Sequence, residues 1–218
     1  VNPKQFAPTE DLAAYPRTLE SDLKIAEKEG VSAVFVPTNE VLYPEGYSTY
    51  VNEEHVSQPL CGIYRPGHFR GVATIVLKLF NIIAPSNAYF GLKDAQQFLV
   101  IERMVMDLNV PVKLTGVPTV REASGLALSS RNVYLAEKDR IEKAPIIYQT
   151  LTETMTGIQA GKEVQALVDQ AKVKLKAAGF DVQYLEFMDL SPRRLLAIAA
   201  FYPTPNGGSV RLIDNILI

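Results

Sequence analysis

Between Val72 and Val117 the hydrophobic pattern changes period in a set order, and that order restricts the fold more than any other feature. Val72, Ile75, Val76, Leu79, Phe80 and Ile83 recur at threes and fours, the spacing of one helical face, and Pro85 closes the run. "NAYFG" (87–91) then reads as a strand, Asp94 to Asn109 as a second helix with Val100, Met104 and Val105 inward, and "VKLTGV" (112–117) as the next strand. Upstream, Thr18 is placed to cap a helix with Leu19, Leu23 and Ala26 on one face, Glu20 and Asp22 in its first turn and Gly30 as terminator. "AVFVP" (33–37) follows it as a short buried strand. Strands alternating with helices in this way predict a parallel sheet wrapped by helices, hence an α/β fold.

From about Arg121 the pattern changes. A Ser-rich loop leads to a helical stretch and to a helix with Val164, Leu167, Val168, Ala171 and Leu175 on one face before Gly179. Three strand candidates follow, "VQYLEFM", "LLAIAAFY" and "SVRLIDNILI", separated by Pro and by the Asn206-Gly207-Gly208 turn. The expected organisation is two domains, residues 1–120 on a parallel sheet and residues 121–218 as a small α+β domain.

At 218 residues and 47% hydrophobic, the chain can bury a sizeable core. A formal charge of −2 gives no basic field for nucleic acid or anionic lipid. The single cysteine, Cys61, excludes a disulfide framework and every Cys-cluster metal site, and reads as a small buried apolar side chain. No apolar run approaches the roughly 18 residues that span a bilayer. With no visible signal peptide, the expectation is a cytoplasmic protein with no membrane and no nucleic-acid partner.

Three stretches carry chemistry. In "AYFGLKDAQQ" (88–97) a strand ends at Phe90, Gly91 allows close backbone approach, Lys93 brings a cation, and Asp94 opens a helix whose free N–H groups favour an anion. Carboxyl ends of parallel strands are where open α/β folds bind ligands, so phosphate recognition is one reading. An ordinary helix start, with Asp94 as cap and Lys93 solvated, is the other. In "GLALSSRN" (125–132), Ser129, Ser130 and Arg131 can supply several donors to phosphate oxygens, or form a solvated hinge. In "YRPGHFRGV" (64–72), Arg65, His68 and Arg70 converge beside Gly67 and Gly71, where His68 is either a proton carrier or a hydrogen-bonded surface residue.

These stretches, with "VNPKQF", "YPRTLESDL", "YPEGY", "KLFN", "VPTVRE" and the terminal "RLIDN", resemble in their order the motifs of the pantothenate synthetase (pantoate-β-alanine ligase) family over nearly the whole chain. The resemblance implies a Rossmann-like nucleotide-binding domain followed by a small domain that closes over ATP. Family members carry a His-x-Gly-His loop before "VNPxQF", and Gly67-His68 belongs to a later motif. The expectation is therefore a chain that begins inside the family's second strand, with the N-terminal part of the domain missing.

The resemblance also implies a reaction: ATP adenylates pantoate, pyrophosphate leaves, and β-alanine displaces AMP, with Mg2+ assisting and a homodimer as the assembly. By position, Gln5 and Gln97 correspond to pantoate-binding residues. Gly91, Leu92, Lys93 and Asp94 correspond to one ATP-binding segment, Val120 to a nucleotide contact, and Leu128, Ser129, Ser130 and Arg131 to a second segment. Lys93, Ser129, Ser130 and Arg131 are the expected catalytic groups, and no residue is assigned as a metal ligand. Leu92 stands where many relatives have Glu, a change suited to a solvent-facing side chain, and Lys4 replaces a commonly apolar residue. Two other readings remain at this point: a non-catalytic fragment retaining nucleotide binding or dimer contacts, and a nucleotidylyltransferase of related fold.

Overall fold

A computed structural model of the chain describes residues 1–6, 12, 15 and 17–218. Pro16 of "YPRTLESDL" lies outside the described residues. The chain groups into two compact units, Val1–Pro85 with Arg103–Val112, and Ser86–Glu102 with Lys113–Ile218.

In the first unit, Asn2 is extended and its side chain accepts from Lys4 N–H, starting a 3-10 turn at Pro3–Gln5. Helix α1 (Leu19–Lys28) has Glu20 and Asp22 in its first turn and Lys28 in its last, signs that suit the helix dipole. Thr18 departs from the expected cap, since its hydroxyl donates to the Asp22 carboxylate at 3.2 Å and accepts from no backbone N–H. Gly30 takes a left-handed φ of 75°, as the end of a helix requires.

The strand expected at "AVFVP" is not formed. Residues 31–38 make no ladder, and Val34, Phe35 and Val36 are exposed. Their β-branched and aromatic composition supplied the expectation, but a strand exists by its partner, and no strand pairs with this segment among the described residues.

Two single-turn helices follow, α2 (Asn39–Leu42), capped by the Thr38 hydroxyl, and α3 (Cys61–Tyr64), which carries the buried free thiol of Cys61. Helix α4 (His68–Ile83) buries Phe69, Val72, Ile75 and Phe80, while Ile83, expected inward, is exposed in its last turn. A Cβ on Gly71 would lie 2.1 Å from the Lys4 carbonyl oxygen, so only glycine lets α4 pack on the Pro3–Gln5 turn.

The second unit contains the parallel pair. Strand β1 (Asn87–Gly91) aligns with β2 (Lys113–Val117) from Asn87 opposite Lys113 to Gly91 opposite Val117. Between them the chain makes a 3-10 turn at Leu92–Asp94 and helix α5 (Ala95–Asp107), one residue later than the expected start at Asp94. Helices α6 (Glu137–Glu142), α7 (Ile146–Gln159) and α8 (Val164–Ala177) lead to the strands β3 (Asp181–Leu190), β4 (Arg193–Pro203) and β5 (Ser209–Leu217). These form an antiparallel meander with β4 central and β5 at an edge.

Leu151 of α7, Leu175 of α8, Leu185 of β3 and Leu196 and Ile198 of β4 share one buried cluster. Helices α7 and α8 approach closely where a Cβ on Gly157 would meet the Leu167 side chain at 2.8 Å. Six consecutive residues of β4 are buried, which explains why "LLAIAA" reads as a continuous apolar run without alternation. The structure is thus α/β and Rossmann-like, with a parallel sheet and a small antiparallel sheet. No helix among the described residues is long and apolar enough to cross a membrane.

Candidate functional site

Polar residues singled out from the sequence collect at one place in each unit. In the second unit the place is a small recess along β5. Strand β1 delivers Gly91 to its carboxyl end, where nothing lies within 4 Å of a hypothetical Cβ. Leu92 then folds over β2: a Cβ on Gly116 would sit 2.6 Å from its side chain. Leu92 therefore packs on the sheet and does not simply face solvent, which corrects the expectation and accounts for an apolar residue there.

The carbonyls of Leu92 and Lys93 both accept from Asn215 Nδ2, at 2.9 and 2.8 Å. These two hydrogen bonds from one amide fix the turn that presents Lys93. The Lys93 side chain enters the recess, which is also lined by Ser129, Arg131, Asn132, Arg211 and Asp214. Burial holds the Lys93 pKa below its usual value; Asp94 and Asp214 oppose that shift, and Arg131 and Arg211 add to it.

Asp214 is already committed elsewhere. Arg121 donates to its two oxygens at 2.6 and 2.9 Å, and the Asn215 N–H donates to Oδ1 at 2.8 Å. Arg121 also donates to Gly125 O at 3.1 Å and stacks 3.5 Å from the Tyr148 ring centroid. With Asp214 neutralised by Arg121, the cations Lys93, Arg131 and Arg211 give the recess a positive surplus suited to an anion.

The loop from Val120 to Arg131 is braced from below. Arg121 and Ala127 form an antiparallel bridge, Leu128 N–H donates to Val120 O at 2.9 Å, and Gly125 makes the turn with a φ of 95°. Val120 and Leu128 are exposed, as are Ser130 and Arg131. Ser129 Oγ accepts from Arg131 N–H at 3.2 Å and starts a 3-10 turn. Buried Asn132 donates to Glu122 Oε1 and Ala127 O, each at 3.1 Å, and Arg140 pairs with Glu122 at 2.9 Å. The outward donors thus stand on a fixed frame. Asp94 is exposed before α5, and Gln97 is half-buried on the first turn of that helix.

In the first unit, a hollow of about 220 Å³ is lined by Lys4, Gln5, Tyr50, His68 and Arg70, among others. Gln5 Oε1 accepts from Asn2 Nδ2 at 2.8 Å, and Asn2 Oδ1 accepts from the Tyr43 hydroxyl at 2.8 Å. Burial, with the neighbouring Tyr47, pushes the Tyr43 pKa up to about 12. His68 Nδ1 donates to Gln5 O at 2.8 Å, and Arg65 donates to the same oxygen at 3.2 Å and to His68 Nε2 at 3.2 Å. Both ring nitrogens of His68 are thereby engaged, Nδ1 by the Gln5 backbone and Nε2 by Arg65, which favours the hydrogen-bonded reading over proton transfer. The Arg70 guanidinium lies 3.8 Å from the Tyr50 centroid, so cations supported by tyrosine faces form part of the wall.

Residue types in single stretches did not reveal Arg121, Arg211, Asp214 or Asn215. The available signal was in "SVRLIDNILI", where, after Ser209 opens the strand, Arg211, Asp214 and Asn215 interrupt an otherwise apolar run, and the last two are buried.

The family model for pantoate-β-alanine ligase matches residues 1–217. The pantothenate synthetase of Thermosipho melanesiensis is 47% identical over 228 aligned positions, covering 100% of this chain and 79% of its own. The crystal structure of pantothenate synthetase from Thermus thermophilus superposes with a TM-score of 0.88 at 41% identity, covering 99% of this chain and 80% of that one. A Francisella tularensis pantoate-β-alanine ligase, described as complexed with β-γ ATP and β-alanine, gives a TM-score of 0.78 at 36% identity over 100% of this chain and 76% of its own. By its sequence along nearly its whole length, and by its fold, the chain belongs to the pantoate-β-alanine ligase family.

Proposed function

We propose that this protein condenses pantoate with β-alanine at the expense of ATP, through a pantoyl adenylate, releasing pyrophosphate and AMP. The observation that carries the reading is the cationic recess at the carboxyl end of β1, with Lys93 and Arg131 beside Ser129. A carboxylate is a poor electrophile, because attack on it must expel an oxide. When a pantoate carboxylate oxygen attacks the α-phosphorus, the bond to the bridging oxygen breaks and pyrophosphate leaves. The β-alanine amine then attacks the acyl carbon, the bond to AMP breaks, and the amine proton is lost.

Negative charge grows on the departing phosphates, and preorganised donors aimed at that charge contribute the most to such steps. Lys93, Ser129, Ser130 and Arg131 take that role here. Gly91, Leu92, Asp94, Val120 and Leu128 border the nucleotide, and Gln5 and Gln97 hold pantoate. In this proposal residues 1–120 carry the nucleotide and pantoate, and residues 121–218 close over them.

Among the described residues no group of three or more His, Cys, Asp and Glu is gathered as a metal cage. Mg2+ binds mainly through substrate phosphates and its own waters, a mode that needs no such cage, and bound in this way it would offset phosphate charge. The protein acts in the cytoplasm and as a homodimer in this proposal.

AMP production from ATP and pantoate tests it, since the rate should depend on β-alanine. Pantoate-dependent exchange of labelled pyrophosphate into ATP, without β-alanine, should report the adenylate step. AMP formation indifferent to β-alanine would instead favour a nucleotidyl transfer to another acceptor.

A further inference from the structure

We propose that Tyr43 is a positioning residue for pantoate, acting through Asn2 to hold the Gln5 amide in the orientation that offers hydrogen-bond donors to the substrate. The inference rests on the reading of Gln5 as a pantoate-binding residue. The Asn2 amide can sit only one way round, because backbone groups of fixed role meet both of its ends. Oδ1 accepts from Lys4 N–H at 3.2 Å, and Nδ2 donates to Gly71 O at 3.3 Å. An N–H cannot accept and a carbonyl cannot donate, so a turned amide would lose both contacts.

That orientation is passed on to Gln5. Asn2 Nδ2 also donates at 2.8 Å to the Gln5 side chain, which must answer with Oε1. Its acceptor is thereby occupied, and Nε2, with no other partner among the described residues, is the end left for a ligand. Gln5 is half-buried and lines the hollow of the first unit with Lys4 and Arg70, whose side chains can only donate. Such a set suits the oxygen lone pairs of a carboxylate or a hydroxyl. Tyr43 closes the relay from the other side, its hydroxyl donating to Asn2 Oδ1 at 2.8 Å. Its ring packs edge-on against Tyr47 with centroids 5.1 Å apart, and burial, which pushes its pKa up to about 12, keeps the proton on the oxygen. Neither Tyr43 nor Asn2 lines the hollow, so both act on a ligand there only by way of Gln5.

The competing role is a purely structural tie between the Pro3–Gln5 turn and the residue that ends α2. Titration calorimetry with pantoate on single and double variants separates the two. Tyr43→Phe should weaken pantoate about 3- to 10-fold, the effect of one lost hydrogen bond, and Gln5→Ala about 10- to 100-fold. In the Gln5→Ala background Tyr43→Phe should add less than about twofold, because no amide remains to orient, whereas a structural tie would act equally with and without Gln5. If Gln5→Ala binds too weakly to close that cycle, Asn2→Ala takes its place: Tyr43→Phe should add nothing once the relay is cut, and a full additional loss refutes it. Pantoate affinity unchanged in Tyr43→Phe while Gln5→Ala weakens it, or equal Tyr43→Phe losses in both backgrounds, would overturn the role of Tyr43 and leave Gln5 in place. Pantoate affinity unchanged in Gln5→Ala, or no measurable pantoate binding by the unaltered protein, would sink the reading of Gln5 and the relay together.

Discussion

The pair of Arg121 and Asp214 is the most open to a quantitative test, because it is largely buried, bidentate and joins residues 93 positions apart. Asp214→Asn keeps the shape and one acceptor but removes the charge that two guanidinium N–H groups and the Asn215 N–H address. Breaking a buried pair from one side costs about 3 to 5 kcal/mol, because the surviving charge is left uncompensated. Arg121 retains Gly125 O and the Tyr148 face, which places the expected loss near the lower end, about 3 kcal/mol. Arg121→Met strands the Asp214 carboxylate instead, at a similar cost. The double variant leaves neither charge unpaired and should lose about 2 kcal/mol less than the sum of the two single losses. Urea unfolding measures all three, and at a slope of about 2 kcal/mol/M each single change moves the midpoint by about 1.5 M. Losses that add to within about 0.5 kcal/mol, or single losses under about 1 kcal/mol as at an exposed pair, would refute the reasoning.

Lys93→Ala should slow pyrophosphate release about 100-fold or more, the usual cost of one lost donor to developing charge. Because burial lowers the Lys93 pKa, activity should fall with rising pH before 10.5, and Lys93→Arg should move that alkaline limb upward; an unmoved limb assigns it to another group. Gln97→Ala should raise the pantoate KM about 10- to 100-fold with ATP affinity preserved, whereas matched losses for both ligands would mark a folding defect. Leu185→Ala, at a position with no exposure, should cost about 2 to 5 kcal/mol in thermal or urea unfolding, and a loss below about 1 kcal/mol would contradict its place in the core.

What the sequence made legible follows from the range over which each feature is determined. Helices α1, α4 and α8 announce themselves because their period and their terminators, Gly30, Pro85 and Gly179, lie within a few turns of each other. The order β1, α5, β2 and the three C-terminal strands were equally visible, since turn residues bound each of them. "AVFVP" failed for the complementary reason: ladder formation is decided by a neighbour, and composition cannot report one. At the site, Lys93 and the Ser129-Ser130-Arg131 run stand out by residue type. Arg211 and Asp214 do not, because a charged residue in a strand reads as an outward-facing position. Only the pairing with Arg121 shows what Asp214 does, and only the placement of β5 beside the Leu92–Asp94 turn puts Arg211 at the recess.

The amide of Asn215 that holds the carbonyls of Leu92 and Lys93 spans 123 and 122 positions of chain. During synthesis, β1 and its turn emerge long before β5 exists, so Lys93 has no fixed backbone geometry until the last strand of the meander has docked. Contacts this distant along the chain are late in folding, since loop closure must be completed before they are rewarded. The same dependence holds in the finished protein. Any fluctuation that peels β5 from the sheet edge releases the Lys93 turn together with Asp214 and Arg211, so the recess opens and closes as one cooperative unit with the C-terminal sheet.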